Sequence, residues 1–338
     1  MNRQAASLAI RADGDTRLGL GHVMRCAALA DALVDAGHRV IWLSRTPDAI
    51  PAKLAARIEI RAMAPDTVEA DSLVPALAAL RVNGLIGDWR TTDPDLCRHV
   101  RRADFWLALV GNHLAGAEAD LVIHQRFAAD TADDTAGICD GAAHLLLSPG
   151  YADLPARAVK PEVKRLLISL GGSETAILDR VLGALTGMPQ LAHIELDVRR
   201  AGARATALPD TGLLDALCAA DLAILAAGTT LHETAATGLA AIALPISGNQ
   251  SERARQYQAL GLGLSLVPDA DGFETRLRDT VAGLLNAAEQ RQRFSAAGQA
   301  AVDGHGARRV AARINAMISR VPGHPDASLS TAIAGPPS

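Results

Sequence analysis

The sequence contains no apolar run near the roughly 20 residues that cross a hydrocarbon core, because charges or glycines interrupt every candidate. That excludes a membrane span and a membrane partner from the reading. Cysteines are few: Cys26, Cys97, Cys139 and Cys218 lie tens of residues apart with no C-x-x-C pair. Such spacing argues against a disulfide framework and a structural zinc site, and reduced thiols follow. There is no surplus of positive charge either. Lys+Arg total 33 against 37 Asp+Glu, a net charge of −4, so no broad basic surface recruits a nucleic acid. An anionic ligand has to be gripped locally. The N-terminus carries Arg3 but no apolar core of an export signal, since Asp13 and Asp15 follow the short run Leu8 to Ile10. The expected location is the cytoplasm.

What remains is ample material for cores. The 338 residues are 49% hydrophobic and 21% charged, enough for about two globular domains. Short apolar runs alternate with helical patterns through the first half: Ala6 to Arg11, Arg39 to Ser44, Ile58 to Ala62, Gly84 to Ile86, Phe105 to Val110 and Leu121 to His124. Continuous Val/Ile/Leu runs are how parallel strands buried on both faces read, and segments such as Val23 to Ala36 carry helical spacing between them. Ser148 to Lys164 holds three prolines and reads as a connector. A second rhythm then starts, with strands expected at Arg165 to Leu170, His193 to Val198, Asp221 to Ala226, Ala240 to Leu244 and Leu262 to Val267. Helical patterns close the chain at Phe273 to Ala288, Gln290 to Val302 and Ala307 to Ser319, before a tail from Pro322 to Ser338 rich in Pro, Gly, Ser and Ala that is expected to be mobile.

The expected fold class is therefore α/β, two Rossmann-like domains facing a cleft. Residues 1–150 form the first and 165–305 the second. A helix at 306–320 packs back on the first domain. In open α/β sheets the crevice outside the carboxyl ends of the strands takes the ligand, so function belongs in strand-to-helix loops.

Five loops carry candidate chemistry. The first runs Arg11-Ala12-Asp13-Gly14-Asp15-Thr16-Arg17-Leu18-Gly19-Leu20-Gly21-His22-Val23-Met24-Arg25. It fails the dinucleotide fingerprint, because Met24 stands where the third glycine belongs. His22 falls in the first turn of a helix, where the positive dipole end disfavours imidazolium and suits a neutral base. A tight turn followed by an ordinary helix-start histidine fits the same residues. The second loop, Leu170-Gly171-Gly172-Ser173, offers adjacent N–H groups to a phosphate, or is a turn with an N-cap. The third, Gly228-Thr229-Thr230-Leu231-His232-Glu233, matches a capping box at Thr230 and Glu233; alternatively it binds a diphosphate, with Glu233 on a ribose. The fourth, Ser247-Gly248-Asn249-Gln250, brings two amides fit for sugar hydroxyl or acetamido groups. In the fifth, Asp88 ends a strand before Trp89 and Arg90 and either faces the cleft or caps the next turn. The triplets Asp93 to Asp95 and Asp269 to Asp271 sit in turn-like contexts and read as surface chemistry, so no metal site is expected.

In this order the loops resemble the UDP-sugar hydrolases of pseudaminic acid biosynthesis and their spore-coat polysaccharide relatives (PseG/SpsG-like). The pattern is R-x-D-x(5)-G-x-G-H-x-x-R at Arg11, Asp13, Gly19, Gly21, His22 and Arg25, with Leu170 to Ser173, Gly228 to Glu233 and Asn249-Gln250 in support. The similarity spans about the first 265 residues. It implies a GT-B-like fold related to the lipid II glycosyltransferase, a sugar and catalytic side on the first domain, UDP on the C-terminal domain, and His22 as the base that activates water. It also implies no cofactor, and a UDP-sugar and water as partners. Substrate contacts follow at Arg11, Asp13, Gly21, Arg25, Asp88, Gly171, Gly172, Ser173, Gly228, Thr229, Thr230, Glu233, Asn249 and Gln250. The implied reaction is inverting hydrolysis at the anomeric carbon, releasing UDP and a free diacetamido-trideoxyhexose for nonulosonic acid synthesis. Members often read D-H-Y where this chain has Asp88-Trp89-Arg90, and His124 replaces a usual asparagine. A GT-B glycosyltransferase and a non-catalytic nucleotide-sugar-binding protein are the alternatives. No protein partner is read.

Overall fold

The computed structural model describes residues 5–15, 19–64, 68–112, 114, 116–129, 137–171, 175–199 and 210–318, with the backbone alone of Thr175, Asp210, Thr211 and Asn249. The tail Pro322 to Ser338 lies outside the described residues. Two parallel sheets are present. The first has seven strands: β1 (Ser7–Ala12), β2 (Arg39–Ser44), β3 (Glu59–Ala62), β4 (Gly84–Asp88), β5 (Trp106–Val110), β6 (Leu121–Ile123) and β7 (Ile138–Cys139), in the order β3-β2-β1-β4-β5-β6-β7. Its helices are α1 (Gly21–Asp35), α2 (Ala52–Ala55), α3 (Glu69–Ala79) and α4 (Pro94–Arg102). The second has β8 (Arg165–Ser169), β9 (Glu195–Arg199), β10 (Leu222–Ala226), β11 (Ala241–Leu244) and β12 (Leu264–Ser265), in the order β12-β11-β10-β8-β9. Around it lie α5 (Thr175–Leu185), α6 (Asp210–Ala219), α7 (Thr230–Thr237), α8 (Ser251–Ala259), α9 (Phe273–Asn286) and α10 (Ala288–Ala301).

Burial explains why the strands read so plainly. All residues of β4, β5, β10 and β11 are buried, because helices cover both faces of each sheet. In the first domain Leu8, Ile10, Trp42 and Ile86 pack toward α1, while Ala9, Ile41, Leu85 and Leu107 pack with Leu73 of α3 and Val100 of α4. The pleat's period of two thus feeds two cores at once. β7, unforeseen in the sequence, is only two residues long, too short for any periodic signal. β12 shrinks to two residues from the six expected, and Gly263 beside it fits because it has no side chain, since a Cβ there would collide with Tyr257 and the Ala241 carbonyl.

The connector after the first domain is packed rather than loose. Tyr151 is buried, in one cluster with Phe127, Leu145 and Leu147 and with Leu231 and Ala235 of α7. After α10 the chain returns to the first domain. The last helix, α11 (Gly306–Ile318), lays Val310, Ala311, Ile314 and Ile318 into the core that holds Leu29 and Leu33 of α1. The crossing is tight: a Cβ on Gly306 would fall 2.1 Å from the Leu145 carbonyl oxygen.

Candidate functional site

Strand order decides where the site lies. In the first sheet β1 is flanked by β2 and β4, so the chain reverses direction across the sheet between β1 and β4. Such a switch point opens a crevice at the carboxyl ends of the two strands. His22 is the second residue of α1, which follows β1, and Asp88 is the last residue of β4. Topology thereby brings together two residues 66 apart in sequence: His22 Nδ1 lies 2.7 Å from Asp88 Oδ1.

Asp88 is enclosed, with 0% of its side chain exposed, and its carboxylate is saturated with donors. Arg25, one helical turn after His22, donates from Nε to Oδ2 and from a terminal nitrogen to Oδ1, both at 2.6 Å. The Cys26 thiol donates to Oδ2 at 3.4 Å. Burial would raise the Asp88 carboxyl, but the Arg25 charge and the His22 and Arg25 hydrogen bonds outweigh it and hold it below the ordinary range. An ionised carboxylate only accepts, so Nδ1 of His22 carries the proton and donates it. The 3.0 Å approach of Arg25 to the same Nδ1 follows from both side chains converging on Oδ1. The tautomer so fixed leaves the lone pair on Nε2, and 23% of the His22 side chain is exposed. A histidine held by a buried carboxylate at one nitrogen and open at the other is the geometry of a general base.

Other residues of the same motif do different work. Arg11 is 1% exposed, and its guanidinium is paired with Asp13 at 2.6 Å and with Glu69, the first residue of α3. Asp13 in turn accepts from Ser44 Oγ at 3.0 Å and from the Arg45 N–H at 2.7 Å, tying the end of β1 to the end of β2. Arg11 and Asp13 therefore shape this edge of the cleft, pointing at each other. Trp89 donates from its indole to Glu69 at 2.8 Å, and Arg90 beside it is exposed. His124 lies near the Gly111 carbonyl, 3.1 Å from Nδ1, as a structurally satisfied histidine.

In the second sheet β10 and β8 are neighbours, with β11 and β9 outside them, which puts a switch point between the loops that follow β8 and β10. Gly171 follows β8 with φ +79°, a left-handed conformation that favours glycine. Gly172 and Ser173 lie outside the described residues, and so does the side chain of Asn249. After β10, α7 begins without the capping box its sequence suggests. Thr229 is the N-cap, in helical conformation, and makes no side-chain cap bond. The first N–H groups of the helix are left to other partners. Gln250 accepts from the Ile246 N–H at 3.1 Å and turns its amide nitrogen toward Gly228.

The two edges meet. A Cβ on Gly21 would stand 3.1 Å from Thr229 Oγ1, so α1 and α7 approach closely next to His22, and a larger residue at 21 would have to push the Thr229 side chain aside. Gly21, Met24 and Arg25 of the first domain and Thr229 and Glu233 of the second line one cavity together with Leu146, Leu147 and Ser148. Arg25, Thr229 and Glu233 thus meet at it, and His22 and Asp88 join them through the Asp88 carboxylate that Arg25 holds. Asp93 stands apart: its carboxylate accepts from the Asp95 N–H at 2.9 Å and caps α4. Among the described residues there is no group of three or more His, Cys, Asp or Glu placed to hold a metal, and no helix long and apolar enough to cross a membrane.

One buried group had no signal in the sequence. Arg253, in the first turn of α8, donates to the Ala227 carbonyl at 2.9 Å, directly before Gly228. Its codeless setting, a polar run Ser251-Glu252-Arg253-Ala254-Arg255, reads as an exposed helix face.

No protein-family model matches the chain, and no curated protein matches it in sequence. Solved structures do match in shape. MurG of Acinetobacter baumannii aligns at 17% identity over 93% of this chain and 100% of its own, with a TM-score of 0.62. The calicheamicin glycosyltransferase CalG4 aligns at 15% identity over 95% of this chain and 100% of its own, with a TM-score of 0.63. The spinosyn rhamnosyltransferase SpnG, solved with thymidine diphosphate, aligns at 17% identity over 92% and 99%, with a TM-score of 0.60. The two parallel-sheet α/β domains are those of the GT-B glycosyltransferase fold.

Proposed function

We propose that this protein transfers a sugar from a UDP-sugar to an oxygen nucleophile, with His22 as the base. The observation that carries the reading is the His22–Asp88 pair, 2.7 Å apart, at the switch point of one sheet, whose partner Arg25 lines a cavity shared with Thr229 and Glu233 of the other domain. The nucleophile's proton passes to Nε2 of His22 as its oxygen forms a bond to the anomeric carbon. The bond from that carbon to the diphosphate breaks, its electron pair leaves with UDP, and the configuration inverts. Asp88 stabilises the imidazolium that forms. Base assistance of this kind contributes about 10²–10⁴-fold. The N–H groups at the start of α7 and the Gly171 loop take up the charge of the leaving diphosphate, and Glu233 accepts from ribose hydroxyls.

The named solved structures CalG4 and SpnG are glycosyltransferases, which supports an alcohol as the nucleophile. A second reading has its own support. The pattern Arg11, Asp13, Gly19, Gly21, His22, Arg25 resembles the UDP-sugar hydrolases of pseudaminic acid biosynthesis, where water takes the alcohol's place and a diacetamido-trideoxyhexose is released. Water and an alcohol need the same activation, so the two readings share one site. UDP release from candidate UDP-sugars, UDP-diacetamido-trideoxyhexoses included, separates them. Release that requires an added acceptor supports transfer, release in buffer alone with free sugar by mass spectrometry supports hydrolysis, and no His22-dependent turnover overturns both.

A further inference from the structure

The floor beneath the β10–α7 loop holds a cation with no counter-charge among the described residues. Arg253 is buried, and no carboxylate among the described residues pairs with it; its Nε has no hydrogen-bond partner. The charged and titratable groups around it are Arg25, already neutralised by Asp88, and His232 on α7. Burial, with Arg253 and Arg25 adding to it, keeps the His232 ring far below its ordinary range and therefore neutral at pH 7, and its Nε2 is also unpartnered. Burial, with Arg25 second, pulls the Arg253 guanidinium down only to about 10, so it remains charged. Buried charges are normally paired, because an unpaired one forfeits its hydration. This one is not.

Its single hydrogen bond shows what it acts on. The Ala227 N–H is taken by the Leu244 carbonyl at the end of β11, and the Ala227 carbonyl by Arg253. In a trans peptide the carbonyl and the following N–H point in opposite directions. A carbonyl drawn down onto Arg253 therefore turns the Gly228 N–H up, away from the core. The N–H groups of Gly228, Thr229 and Thr230 have no acceptor among the described residues, and Thr229 faces Gly21 across the cleft. A row of donors over an uncompensated buried cation is built to receive an anion.

We infer that Arg253 is the positioning residue of a diphosphate subsite, aiming the Gly228 N–H at the ligand and lending its own charge from below. The inference rests on the nucleotide reading above and adds a residue to it. Uridine, UMP and UDP are titrated calorimetrically against the parent protein, Arg253→Gln and Arg253→Lys. In Arg253→Gln the affinity for UDP falls about ten- to a hundredfold, as expected for losing a charge-assisted contact, while uridine changes by less than about twofold. Arg253→Lys restores most of the UDP affinity. Equal losses for uridine and UDP, the mark of a merely structural carbonyl clamp, would overturn the inference, as would an unchanged UDP affinity. If Arg253→Gln does not fold, the lysine variant decides: a folded Arg253→Lys that loses uridine and UDP affinity equally overturns it. A parent protein that binds neither uridine nor UDP sinks the nucleotide reading and this inference together, whereas a parent that binds UDP beside an indifferent Arg253→Gln sinks this inference alone.

Discussion

The two edges of the cleft are built from opposite materials. On the first domain's edge, side chains are paired off almost completely: Asp88 with Arg25 and His22, and Arg11 with Asp13 and Glu69. On the second domain's edge the candidate groups are backbone N–H donors, two threonines and a buried arginine with no carboxylate partner among the described residues. The first edge is internally neutralised and rigid, as a proton-transfer site requires, since a base acts only when its tautomer and direction are fixed beforehand. The second edge leaves positive potential unanswered, as an anion site requires. On the proposed function, the division assigns the chemistry to one domain and the grip to the other, so that each can be damaged separately.

The largest effect is expected from breaking the chemistry while sparing the grip. His22→Ala removes the base, and turnover of a UDP-sugar falls about 10²–10⁴-fold with UDP affinity essentially unchanged. Steady-state UDP release beside calorimetric UDP binding checks this; equal losses in both would erase the contrast between the edges.

Asp88→Asn attacks the neutralisation itself. It leaves Arg25 buried with no carboxylate, and one-sided removal of a buried ion pair costs about 3–5 kcal/mol. Denaturant unfolding at pH 7 measures the loss. The sign of its pH dependence is set by the folded state holding the Asp88 carboxyl below its unfolded value. That contribution to stability is fully present above the unfolded value of about 3.9 and disappears as the pH falls through the lower folded value. The deficit of Asp88→Asn relative to the parent is therefore constant from neutral pH down to about pH 4 and narrows below it. A deficit that grows in acid contradicts the assignment.

A third test separates the cleft from the helix that spans back to the first domain. Gly306→Ala drives a methyl into the Leu145 carbonyl, a position where a Cβ would stand 2.1 Å from the oxygen. Overpacking of this kind costs about 1–3 kcal/mol. Thermal unfolding registers the loss as a lower Tm, and UDP affinity stays within about twofold because the loops of the second domain are untouched. A collapse of UDP binding would mean that α11 governs the geometry of both edges.

Much of this was legible before any coordinates. Strands buried on both faces wrote themselves as unbroken apolar runs, so β2, β5 and β10 fall within one residue of their expected bounds. His22 and Asp88 were each visible as candidates, but their contact was not, because it depends on β1 lying beside β4. The same blindness to pairing hid that Arg11 is bonded to Asp13 and Glu69. The capping box at Thr230 and Glu233 matched by spacing, yet the helix starts one residue too early for Thr230 to act as its cap, and Thr229 takes that place. Arg253 was invisible since nothing in a polar helical run marks which guanidinium turns inward.

The smallest expected effect concerns the acidic triplet on the first domain's edge. Asp93 sits five residues after Asp88 and close enough in sequence to be mistaken for part of the machinery, but its carboxylate is engaged with the Asp95 N–H at the start of α4, and 84% of the Asp95 side chain is exposed. Asp93→Ala therefore costs only the cap, about 1 kcal/mol in unfolding free energy, while Asp95→Ala, on the surface, stays within about 0.5 kcal/mol. Neither alters turnover of the UDP-sugar. If Asp93→Ala instead lowered turnover tenfold or more with its cap-sized stability loss intact, the chemistry of the first edge would extend beyond the His22–Asp88–Arg25 group, and the sharp boundary between paired scaffold and working base would have to be redrawn around α4.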